Sequence, residues 1–173
     1  MKKIIMIVIM FIVICISIWF QMFFLNSIPL IGITANIGIV LIAGLGLISG
    51  EFVGGVSGII YGLLIDILFG RSIGVYTFLY GISGVISGKL NNNFSKGNKI
   101  SMVMIILICT LFFETIAYFL NIVLNRFEVN IQVLFTTLIL ESIYNILLTV
   151  IFFNPIAFLG NLLNKTKNSY YLL

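Results

Sequence analysis

The chain has 173 residues, of which 61% are apolar and only 8% charged, with a formal net charge of +4. Soluble domains carry about 25% charged residues, and a water-soluble fold of this length cannot hide so much apolar surface in its own core. The composition excludes a soluble globular domain and gives no support to nucleic-acid binding, because the excess positive charge lies in short stretches between apolar runs.

In lipid every backbone polar group must be satisfied internally, so helices or a closed barrel are the options. The apolar runs here are continuous, without the alternation of barrel strands, and predict an all-α polytopic membrane protein. The whole chain, 1–173, reads as a single integral membrane domain of about six transmembrane helices. Histidine is absent, which removes the usual general base and the commonest metal ligand. The two cysteines, Cys15 and Cys109, lie inside apolar runs and read as small buried hydrophobes.

The first segment, MKK followed by an uncharged run, is longer than a signal-peptide core of ~7–15 residues and lacks a small-residue cleavage site. It is expected to stay as a first helix over about 4–25. Asn26-Ser27-Ile28-Pro29 makes a turn, and a second segment covers about 33–48. Ser49-Gly50-Glu51 reads as the next turn, with Ser49 as N-cap of a third helix over about 51–69. A fourth segment covers about 73–89, and the polar, basic stretch KLNNNFSKGNK (89–99) follows. Helices five and six are placed at about 101–124 and 131–153, with Asn154-Pro155 ending the last one. Leu159, Leu162 and Leu163, followed by Lys165 and Lys167, suggest a short interfacial C-terminal tail.

Six spans put both termini on one side. Lys2, Lys3, Lys89, Lys96, Lys99, Lys165 and Lys167 then share a face, against Arg71 and Arg126 on the other. This bias makes the lysine-rich face, and both termini, cytoplasmic.

Glycines recur in steps of four at Gly46, Gly50, Gly54, Gly58 and Gly62, then Gly70 and Gly74, with Asp66 in the one vacant place. Small residues at this spacing let helices approach closely in lipid. Helix three is therefore expected at the centre of the bundle, with leucine at Gly58 or Gly62 disruptive and alanine much milder. An aspartate at mid-bilayer costs roughly 2.5–3.5 kcal/mol on insertion scales. Its position 15 residues after Glu51, roughly 22 Å along a helix, puts Asp66 near the outer end, facing protein. Arg71 is its expected partner.

Glu114 and Glu141 lie in apolar runs, with Tyr118 and Asn145 four residues on from each. No lysine or arginine shares their depth, so hydrogen bonding and not ion pairing is expected to satisfy them. They read either as a polar clasp between helices five and six or as the lining of an inward-facing polar cavity. Without histidine or a nearby nucleophile, no catalytic residue, metal site or cofactor is expected.

The run GLLIDILFG (62–70) with Gly74 beyond it, the Gly50-Glu51 and Gly54 start of helix three, the basic loop before helix five, and Asn145 with Pro155 on the last helix together resemble the MreD family of rod shape-determining membrane proteins. The likeness covers nearly the whole chain. Where the family often reads Pro-Asp-Leu at the start of its second helix, this chain reads Ala35-Asn36-Ile37. Ile48-Ser49 stands where basic residues are common.

The resemblance implies a non-enzymatic subunit of the cell-elongation complex in the bacterial cytoplasmic membrane. It would partner an MreC-like bitopic protein and, through it, MreB filaments and peptidoglycan synthases. Membrane lipid surrounds it, nucleic acid is not a partner, and self-association is left open. Gly54, Gly58, Gly62, Asp66, Gly70, Arg71 and Gly74 are the candidate residues for structure and partner contact. The family also looks like the substrate-binding subunits of energy-coupling-factor vitamin importers, which makes such a subunit the alternative reading. A vitamin binder needs polar and aromatic groups converging near the outer face, and there the sequence offers mainly Asp66, Arg71 and Asn121.

Overall fold

The protein is described from a computed structural model, which describes residues 2–23, 25–27, 32–69, 74–90, 98–125 and 130–168. Among these residues the regular elements are all helical: α1 (Lys2–Phe23), a 3₁₀ turn (Leu25–Ser27), α2 (Ile37–Ser49), α3 (Glu51–Phe69), α4 (Val75–Lys89), α5 (Lys99–Asn125) and α6 (Ile131–Asn168).

The centre of the bundle is α2, not α3 as the glycine pattern suggested. All 13 residues of α2 are buried, and it packs against α1, α3, α4, α5 and α6. A helix apolar on every side belongs inside a protein. By length and composition four helices are fit to cross a membrane: the segment Ile7–Ser27, α3, α5 and the Ile131–Leu163 part of α6. At 13 residues, α2 spans only about 20 Å, short of a hydrocarbon core of ~30 Å. Its neighbours bury it along its whole length. Large apolar side chains such as Phe11, Trp19, Phe78, Phe119 and Phe158 are exposed on the surrounding helices, as expected where the surface meets lipid.

The ridge of α3 packs against α4. A methyl group on Gly54, Gly58 or Gly62 would run into the backbone carbonyls of Gly84, Tyr80 and Tyr76 respectively. The obstacle is backbone, which cannot rotate away, so the expected mildness of alanine does not hold. Close approach continues onto α2, where Gly46 meets Gly84 and Ser87.

The second helix begins at Ile37 and not at about 33, because Asn36 caps it, and two further boundaries differ from the sequence reading. Ser49 is the last residue of α2 and not the N-cap of α3; its hydroxyl donates to the Gly160 carbonyl at 3.1 Å. The turn is made by Gly50, whose φ of 93° is a backbone state that residues with a Cβ rarely adopt. The second difference is at Pro155, which does not end the last helix: α6 continues through it to Asn168, so the tail is not a separate interfacial element. Packing explains the continuity. Ile156 sits against Gly44 and Gly160 against Ile48, so α2 holds the helix on course while Pro155 lies on the exposed face. Tertiary contact here outweighs the lost hydrogen bond.

Candidate functional site

Asp66 is 1% exposed and faces the first turn of α4. Its carboxylate accepts the backbone N–H groups of Gly74 at 2.9 Å, Tyr76 at 3.0 Å and Thr77 at 2.9 Å, and the Thr77 hydroxyl at 2.6 Å. A helix begins with four N–H groups that lack intrahelical partners. The N-cap of α4, Gly74, has no side chain with which to satisfy them. Asp66 does so from the neighbouring helix, with its charge at the positive end of the α4 dipole. Gly74 takes φ 105°, the left-handed state that turns the chain back towards Asp66. The expected Asp66–Arg71 pair, like Gly70, lies outside the described residues.

Beside this junction is a cavity of about 440 Å³. Its walls come from the same end of every helix: Gln21 at the close of α1, Asn36 at the start of α2, Tyr61 and Phe69 on α3, Tyr76 and Tyr80 on α4, Glu114 on α5, and Glu141 on α6. Glu114 and Glu141 lie roughly 15 Å along their helices from the shared end of α5 and α6. Because α6 is longer than expected, Glu141 falls in its first third and not at its middle.

The two carboxyls are neighbours within hydrogen-bonding reach of each other, and the Asn145 and Asn36 side chains are also near Glu141. Glu141 is 6% exposed, and its Oε1 has no hydrogen-bond partner among the described residues. The Tyr61 hydroxyl, on a fully buried side chain, has the Ser17 side chain as a neighbour but makes no hydrogen bond of good geometry. Most buried polar groups in proteins are paired; these two atoms and the Ser142 hydroxyl are the exceptions among the described residues.

A polar network holds the walls. Asn36 caps α2, its Oδ1 accepting the Ile39 N–H at 3.2 Å and the Tyr80 hydroxyl at 2.8 Å. Its own N–H donates to Asn145 Oδ1 at 2.8 Å, and Asn145 Nδ2 donates to Thr110 Oγ1 at 3.0 Å. Gln21 ties α1 to the start of α2, donating to the Ala35 carbonyl and accepting the Ile37 N–H. Aromatic rings complete one wall: Tyr80 lies 4.8 Å from Tyr61 and 4.7 Å from Phe113, centroid to centroid, and Tyr76 stacks on Phe113 at 6.3 Å.

The cavity thus brings together Glu114, Glu141 and Tyr118 from the sequence-derived candidates, with Asn145 behind Glu141. Tyr118 lines the cavity, but its hydroxyl accepts the Asn130 N–H at 2.7 Å and fixes the start of α6. Asp66 and the ridge glycines form the separate α3–α4 junction. The expectation that polar groups would be sparse at this end is corrected: Gln21, Asn26, Asn36 and four tyrosines converge there. Sequence reasoning missed Asn36, although an asparagine directly before an apolar run is an N-cap signature. The convergence of Gln21, Tyr61 and Tyr80 has no local signal, since it depends on how α1, α3 and α4 are arranged around α2.

A family model described as rod shape-determining protein MreD matches residues 1–159. No curated protein matches the chain, and no solved structure does. With nearly its whole length matched, and with apolar helices long enough to cross a bilayer, the chain belongs to the MreD family of rod shape-determining membrane proteins.

Proposed function

We propose that this protein is a non-catalytic subunit of the bacterial cell-elongation complex. It partners an MreC-like bitopic protein and, through it, helps organise MreB filaments and peptidoglycan synthases in lateral wall growth. The match to the family over residues 1–159 carries this reading. The chain acts by binding within or beside the cytoplasmic membrane. It crosses six times, α2 and α4 being the short crossings, with both termini in the cytoplasm according to the lysine bias. The α3–α4 junction, drawn close by Gly54, Gly58 and Gly62 and capped by Asp66, is the rigid pair of helices on which partner contacts are built.

The second reading is a small-molecule binding subunit of an energy-coupling-factor importer, in a similar six-helix fold. The observation in its favour is the polar and aromatic cavity at one end of the bundle. The two readings name different partners. Affinity purification of the tagged full-length chain from crosslinked membranes of its host should recover an MreC-like protein. Recovery of a pair of transport ATPases without it would reverse the order of the two readings.

A further inference from the structure

The cavity calls for an occupant, and its lining says which chemistry that occupant needs. Its volume of about 440 Å³ lies within the ~300–1,000 Å³ range of small-molecule sites. Glu141 Oε1, buried and without a partner among the described residues, needs a hydrogen-bond donor. The neighbouring carboxyl of Glu114 also favours positive charge, and among the described residues the lining contains no lysine or arginine to provide it. The adjoining wall contains the packed rings of Tyr76, Tyr80 and Phe113, and aromatic rings attract cations. Ile65, Ala117 and Leu134 leave apolar surface for a short carbon chain.

We infer that the cavity is a binding site for a primary organic ammonium group, with Glu141 and Glu114 receiving its N–H donors and the Tyr76–Tyr80–Phe113 wall covering its charge. A primary ammonium carries three donors in a compact head. It therefore fits two adjacent carboxyls and the Tyr61 hydroxyl in the same lining better than a quaternary ammonium, which has none. A divalent metal would make little use of the ring wall. The same head group occurs in free alkylamines and in phosphatidylethanolamine.

The test uses the full-length protein in phosphatidylglycerol nanodiscs, titrated with n-butylamine at pH 7 and, in parallel, with n-butanol. Calorimetry and thermal unfolding should show saturable binding and stabilisation by the amine and neither by the alcohol. Glu141→Gln should weaken amine binding at least ten-fold and Tyr61→Phe at least three-fold. Glu51→Gln, at the opposite end of α3, should leave it unchanged. Mass analysis of lipid retained after extraction from mixed phosphatidylethanolamine and phosphatidylglycerol membranes separates the two sources. Phosphatidylethanolamine enriched on the wild type but not on Glu141→Gln assigns a lipid head group, and no enrichment alongside saturable butylamine binding assigns a free amine. Should Glu141→Gln fail to fold, Tyr61→Phe and Glu114→Gln carry the comparison. Equal effects of amine and alcohol, or undiminished amine binding by the folded variants, would overturn the assignment. These readouts are independent of recovery of an MreC-like partner, so this inference and the cell-shape reading can fail separately.

Discussion

Asp66 on α3 and Thr77 on α4 are joined twice, through the threonine hydroxyl at 2.6 Å and its backbone N–H at 2.9 Å. Together with the Gly74 and Tyr76 N–H groups, this makes one carboxylate the cap of a helix to which it does not belong. Hydrogen bonds to a charged group contribute about 1.5–3 kcal/mol, and Asp66→Ala leaves several part-buried donors unsatisfied. The expected loss in unfolding free energy is on the order of 3 kcal/mol. Thr77→Val removes one donor and keeps the shape, and should cost about 1 kcal/mol. Reversible unfolding in detergent measures both. Equal stabilities of the two variants would contradict the capping role.

The contacts of Gly58 predict an unusual equivalence. A Cβ there meets the Tyr80 carbonyl and the Gly81 backbone, so Gly58→Ala should reduce the yield of folded protein nearly as much as Gly58→Leu. Fluorescence-detected size-exclusion chromatography of the two variants, expressed in parallel, reads this directly. A Gly58→Ala protein with wild-type yield and thermal stability would mean that the α3–α4 spacing is wider than described.

Asn145 joins α6 to the start of α2 through Asn36 and to α5 through Thr110. It is 1% exposed, so Asn145→Leu removes the acceptor of the part-buried Asn36 N–H, which costs about 1–3 kcal/mol. Asn145→Asp keeps the acceptor for Asn36 and should recover part of the loss in thermal unfolding. No difference between the two variants would show that the bond to Asn36 contributes little.

The sequence conveyed helix number and type well, because long apolar runs broken by glycine, proline and charge leave few alternatives. Glu51–Phe69 was legible to the residue, since Glu51 and Gly70 bracket it. What could not be read was which helix is central. The glycine ridge marks α3 as closely packed, but the helix closed on every side is α2, whose uniform apolarity matches that of a lipid-facing span. Pro155 misled for a related reason: its effect depends on whether α2 is there to hold Ile156 and Gly160. Glu114 and Glu141 were legible as a pair by their depth. Their meeting in a cavity with Tyr61, Tyr80 and Gln21 is a product of tertiary arrangement.

Topology follows from the lysine bias and can be checked on intact cells. In a background with Cys15 and Cys109 replaced, single cysteines at positions 95 and 125 would be probed with an impermeant thiol reagent. Position 125 should label and position 95 should not. The reverse pattern would invert the orientation, and equal labelling would contradict six crossings.

The central claim, a subunit that sustains rod shape, is tested most directly by depleting the protein in its rod-shaped host and following cell width and septation by microscopy. Cells should widen and become round while septa continue to form, with rod shape restored by the wild-type chain and poorly by Asp66→Ala despite its insertion in the membrane. Full depletion with unchanged rod shape, accompanied by loss of uptake of one small molecule, would contradict the account.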